Sequence, residues 1–233
     1  MNHILSEYRL LKKELFKAGF ITLLISALIS LLYAADGTLY SIHSSSEVVR
    51  LIFGSVTHTP LNWVYWIILC VAYLIMLQFI WKSNLHLFEI LQILRFRNIS
   101  RYWISKFLYG LLFTIFYVLT FILATYIMCY LFGVSIDMDS YVTWIFLCLS
   151  LNLYIHALLW LAIKLFFSVE AAHIMTVALF YAGVRIVQPY APLYYSMYEH
   201  ISPQVMVVFL LEAAAIAILV MLILWRAKKI DYF

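Results

Sequence analysis

Six long runs of almost uninterrupted apolar residues constrain this chain more than any other feature. They cover Phe16 to Tyr33, Asn62 to Trp81, Phe107 to Leu131, Tyr141 to Ile163, Ala171 to Val187 and Val205 to Trp225. A helix rises about 1.5 Å per residue and the hydrocarbon of a bilayer is about 30 Å thick, so roughly 20 such residues suffice to cross it. With 67% apolar and 11% charged residues in 233 positions, there is too little polar surface to clothe a soluble core. The runs are continuous and do not alternate, which argues against a barrel of tilted strands. The expected fold class is therefore all-α: a polytopic integral membrane protein with six transmembrane helices.

The basic residues set an expected orientation. Thirteen of the fifteen flank the runs on one side, leaving Arg50 and Arg185 for the other. Lysine and arginine gather in cytoplasmic connections, so the basic side is inside and both termini are cytoplasmic. Because these charges flank apolar runs and share no soluble face, the net charge of +4 needs no nucleic acid to explain it. All four prolines fall in outer connections, and tryptophans and tyrosines lie near both expected interfaces. Cys70, Cys129 and Cys148 lie within runs, and no disulfide is expected.

The chain reads as one transmembrane domain, residues 1–233, with three distinctive segments. Residues 1–15 mix leucines with Arg9, Lys12 and Lys13, the pattern of an amphipathic helix on the inner surface before the chain turns into the bilayer; a basic anchor that only fixes orientation fits as well. Residues 82–106, KSNLHLFEILQILRFRNISRYWISK, place apolar residues near helical spacing beside a cluster of arginines. This cytoplasmic segment suits a short docking helix, or simply an arginine cluster on anionic lipid. Residues 188–204, rich in tyrosine and proline, suit short interfacial or re-entrant pieces, or a wet aromatic loop; Ala34 to Leu61 suits a short outer cap.

Ionisable and polar groups inside the runs are the candidate functional residues, because a charge at mid-membrane costs about 2.5–3.5 kcal/mol on insertion scales. Glu212 lies seven residues inside the last run. It faces either a substrate path or another helix, where a polar neighbour or protonation neutralises it. Asn152 and His156 are one turn apart on the fourth run and His173 opens the fifth; packing and path-lining roles both remain open for them. No paired histidine spacing marks a metal site, and no converging nucleophile and base mark a catalytic one. Small residues at turn spacing, Thr22, Ser26 and Ser30, Ala178 and Ala182, and Ala213 and Ala217, form stripes that permit close helix approach.

The basic start, the Phe88-Glu89-Ile90-Leu91 to Arg95-Phe96-Arg97 run, the Arg101-Tyr102-Trp103-Ile104-Ser105-Lys106 sequence, the short turn Phe166-Phe167-Ser168-Val169-Glu170, the outer segment before the last run and the basic tail together resemble the permease subunit of a type 2 ABC transporter. Small bacterial exporters of the bacteriocin and lantibiotic export or immunity type are similar in size. The resemblance implies a second-to-third connection that docks on a nucleotide-binding ATPase subunit, with Glu89, Arg95, Arg97 and Arg101 as coupling residues. It also implies two short helices before the last span, a second permease half (an identical or a related chain), and a bacterial plasma membrane location. On that reading the chain has no catalytic residue. ATP and Mg would sit on the partner, since no phosphate-binding loop occurs here. Glu212, His173, Asn152 and His156 would border the path of an amphipathic peptide or lipid-like substrate. Two further classes stay open: a binding or assembly subunit without an ATP-driven cycle, and an intramembrane enzyme.

Overall fold

The computed structural model describes residues 2–35, 42, 44–56, 62–81, 93, 98–137, 139–186, 192–201 and 205–229, with side chains in the first helix described from Phe16 to Leu32. The described residues are helical apart from turns and one isolated bridge between Ser44 and Ser135. The elements are α1 (Asn2–Ala35), α2 (Ser45–Ile52), α3 (Asn62–Trp81), α4 (Ile99–Leu131), α5 (Ser140–Lys164), α6 (Val169–Arg185), a 3-10 turn (Pro192–Ser196), α7 (Tyr198–Ile201) and α8 (Val205–Ala227). Four of them, α3, α4, α5 and α8, are long and apolar enough to cross a bilayer. The chain is thus a helical, multi-pass membrane protein.

Sequence boundaries and helix ends agree closely for α3, α5 and α8. The expected fifth span is α6, 17 residues long. The expected first span is the carboxy-terminal half of α1, where Phe16–Leu32 is the apolar stretch. One expectation changes: α1 runs unbroken from Asn2 to Ala35, so no turn separates a surface helix from a span. The reason is local, since Leu, Lys, Glu and Ala dominate the join and no proline interrupts it. The third span also begins earlier than its apolar run. Asn98 caps α4 by accepting hydrogen bonds from the amides of Ser100 and Arg101, and this carries Arg101 to Lys106 into the same helix.

Packing places α5 at the centre and α8 at the edge. In their most apolar stretches, 78% of α5 is buried but only 17% of α8. An aromatic ladder joins α3 to α4: Tyr73 stacks on Phe113 and meets Tyr117 edge to face, and Tyr117 lies tilted against Phe121. Tyr117 donates to the Leu69 carbonyl at 2.7 Å. The Thr114 hydroxyl is already donating to the Gly110 carbonyl, so Tyr73 donates to Thr114, at 2.6 Å. The buried hydroxyls of Tyr73, Thr114 and Tyr117 thus each have a partner, as burial in an apolar interior demands.

Of the small-residue stripes, only the first is used inside the chain. Thr22, Ser26 and Ser30 are buried and return their hydroxyls to carbonyls of the preceding turn. At Gly19 on the same helix a Cβ would stand 3.2 Å from the Phe116 ring of α4, a close helix crossing. Ala178, Ala213 and Ala217 are instead exposed, because α6 and α8 turn those faces outward.

The two ends of the bundle differ. At one end, Lys106 on α4 is buried beside Tyr102 and Trp103, with Nζ donating to the Tyr102 hydroxyl at 3.1 Å. Trp81 donates to the Lys106 carbonyl and stacks on Trp160. Lys164, Arg226, Lys228 and Lys229 lie at this end, with Arg226 over the Phe166 ring. At the other end α2 is folded onto the turn before α5 and onto α7. Ser45 and Ser46 bond Asp137, Arg50 pairs with Asp139, and Tyr198 donates its amide to the Phe53 carbonyl. The sequence expects a cap over Ala34 to Leu61, and its described helix α2 packs with α7 at this end of the bundle.

Candidate functional site in the centre of the bundle

The site is built on α5 at four-residue spacing. Cys148, Asn152, His156 and Trp160 follow one another a turn apart, each about 6 Å deeper along the axis. All four are buried. Cys148 meets Val208 of α8, Asn152 meets Glu212 of α8, His156 stacks on Phe180 of α6 with ring centroids 4.2 Å apart, and Trp160 stacks on Trp81 of α3. One face of α5 therefore touches three other helices.

The seam of α8 explains how Glu212 comes to be inside. Val208, Glu212, Ile223 and Ala227 are its buried residues, with Ile216 and Leu219 partly buried between them, so one narrow stripe faces the bundle. Glu212 occupies a seam position where an aliphatic residue would ordinarily sit. It is only 3% exposed. Asn152 Nδ2 donates to Glu212 Oε1 at 3.0 Å, and Oε2 has no protein partner. No lysine or arginine occurs in the central parts of α5, α6 or α8 to balance a negative charge.

The state of His156 follows from its contact. Its Nδ1 is 2.9 Å from the Asn152 carbonyl, which can only accept, so Nδ1 carries the proton. In the neutral ring Nε2 is then a bare acceptor, fully buried and without a protein partner. One turn further along α5, the Trp160 Nε1 donor also lacks one. The polar line thus holds an orphaned acceptor and an orphaned donor in sequence, the kind of exception that a packed interior seldom retains without use.

Three of the four residues that the sequence singled out for the path come together: Asn152, His156 and Glu212. His173 joins a different pair, with Gln78 Nε2 donating to its Nδ1 at 2.6 Å across α3 and α6. Of the coupling residues, Glu89, Arg95 and Arg97 lie outside the described residues, whereas Arg101 is exposed in the first turn of α4. Gln78, Phe180 and the buried Lys106 are partners the sequence reading missed. Lys106 had a signal, since Tyr102 and Trp103 stand four and three residues before it on one helical face. Among the described residues no group of histidine, cysteine and carboxylate side chains is arranged to hold a metal.

Fold and site together define a multi-pass helical membrane protein with a polar centre buried between its helices. No family model matches the sequence, and no match was found among curated proteins or solved structures.

Proposed function

We propose that the chain is the membrane-spanning permease subunit of an ATP-driven exporter of the type 2 ABC kind, in a bacterial plasma membrane. The observation that carries this reading is the outer segment between α6 and α8. There the chain folds into two short helical pieces, Pro192–Ser196 and Tyr198–Ile201, packed against α5, an arrangement the resemblance implies ahead of a last span. The basic end then faces the cytoplasm under the positive-inside rule, with both termini there and six crossings in all.

On this reading the chain has no catalytic residue of its own and works with a nucleotide-binding subunit that binds ATP and Mg, and with a second permease half. Nucleotide-driven closure of the ATPase is passed through the segment around Glu89, Arg95, Arg97 and Arg101 to the helices. Arg101 supports that role by its exposure on the first turn of α4, a continuous helix that reaches the other end of the bundle. The cargo is an amphipathic peptide or lipid-like molecule, and the Asn152, His156 and Glu212 centre borders its path.

The test is purification of the tagged protein from its native membrane in mild detergent, with identification of whatever accompanies it and an ATPase assay. A phosphate-loop ATPase should accompany it, and the triple variant Arg95→Glu, Arg97→Glu, Arg101→Glu should lose the ATPase activity while still inserting. Recovery of the chain without any ATPase in several detergents would overturn the exporter reading in favour of a binding or assembly subunit.

A further inference from the structure

Glu212 is the sole acidic residue within the six apolar runs, and it sits against α5 with an amide as its partner and no cation in reach on the helices that bury it. An ionised carboxylate in such surroundings is costly, and the neutral acid is the form that a low-dielectric interior tolerates. The groups facing it are identifiable. On α5 they are Cys148, which lies beside it, Asn152, which donates to Oε1, and through Asn152 the imidazole of His156. On the 3-10 turn and α7, the residues packed with the adjoining Val208 cluster are Tyr195 and Ile201, and neither is charged. Phe180 of α6 covers the face of the His156 ring.

We propose that Glu212, Asn152 and His156 form a proton-holding site at mid-membrane, with the proton carried on Glu212 Oε2 while α8 is packed on α5 and with His156 Nε2 as its alternative acceptor. The two orphaned atoms fit these roles: Oε2 needs a hydrogen if the acid is neutral, and Nε2 is a buried lone pair waiting for one. Asn152 joins them, its side-chain amide on the carboxyl and its backbone carbonyl on the imidazole. Transfer breaks the O–H bond of Glu212 and forms an N–H bond on His156. The products are a carboxylate and an imidazolium, and the pair keeps a total charge of zero. That charge separation gives α8 a strong reason to shift, because its one polar seam residue has changed from a neutral acid to an ion. The ligand of the site is the proton, so no cavity is required.

Infrared spectroscopy of the full-length protein in lipid nanodiscs tests this without reference to an ATPase, so the exporter reading and the proton site can fail separately. At neutral pH the wild type should show a protonated-carboxyl C=O band that shifts with deuterium and with 13C-labelled glutamate. E212Q, nearly the same shape, should lose it. In H156Q the band should be more intense than in wild type on its low-pH plateau, since no part of the proton population is then held on the imidazole. Absence of the band from wild type at every pH, or its survival in E212Q, would overturn the proposal. An unchanged plateau intensity in H156Q would overturn the acceptor role of His156. The labelled wild-type spectrum keeps the test decisive if a variant does not fold.

Discussion

Arg50 of α2 pairs with Asp139, the residue that caps α5, across 89 positions of sequence. The guanidinium also lies 5.1 Å from the Tyr141 ring centroid and 5.2 Å from that of Tyr198, so one side chain ties α2 to α5 and to α7. Burial pushes the Asp139 carboxyl up, but the Tyr141 amide, the Ser140 hydroxyl and Arg50 together prevail and hold it below the usual carboxylate range. A lowered value in the folded state makes the contribution of this clasp complete above the unfolded value, about 3.9, and lost as pH falls through the folded one.

Acid should therefore loosen the cap before the bundle. Hydrogen exchange of the Ser45–Ile52 amides is expected to speed up as pH falls below about 4, after correction for intrinsic rates. Arg50→Gln should speed it already at neutral pH, with the α5 amides unaffected. Equal protection of α2 in Arg50→Gln and wild type would show that Ser45, Ser46 and Asp137 hold the cap without the ion pair.

Two glycines are needed for different reasons. A Cβ on Gly110 would stand 2.5 Å from Trp81 Cζ2, and that indole is pinned by its bond to the Lys106 carbonyl and its stack on Trp160. Gly110→Ala should cost about 1–3 kcal/mol by overpacking. Gly133 has open space around its Cβ position but a φ of +74°. There Gly133→Ala should cost about 1 kcal/mol through backbone strain, and Gly133→Asn less. Unfolding in detergent measures both. A Gly110→Ala protein as stable as wild type would mean that Trp81 can move aside.

The apolar runs made the long helices legible, because span length and continuity are properties of sequence alone. Glu212 was legible for the same reason: one acid among aliphatic residues has to be accounted for. What sits opposite it was not. Asn152 and Glu212 are 60 positions apart, and their contact depends on which face α8 turns inward, which its nearly uniform apolar composition does not announce. His173 shows the converse. Its residue type suggested the same path, yet α6 aims it at Gln78 of α3 while Phe180, two turns on, meets His156. The run from Asn2 to Ala35 misled because a basic segment and an apolar segment read as two elements, while the backbone propensities of both favour one helix.

The Asn152–Glu212 bond should behave as a unit under mutation. Asn152→Ala leaves a buried carboxyl with neither oxygen satisfied, at a cost of about 1–3 kcal/mol. Glu212→Gln keeps an acceptor oxygen opposite Asn152 Nδ2 and should cost about 1 kcal/mol or less. Replacing both, as in Asn152→Leu with Glu212→Leu, removes the donor and the acceptor together, and the pair should be closer to wild type in stability than Asn152→Ala is. The measurement is thermal unfolding of each variant in one detergent, read as a double-mutant cycle for the leucine pair. Coupling is expected because either single leucine orphans the other partner in a buried position. Strict additivity would mean that the two side chains do not depend on each other, and that α8 is held on α5 by its aliphatic seam alone.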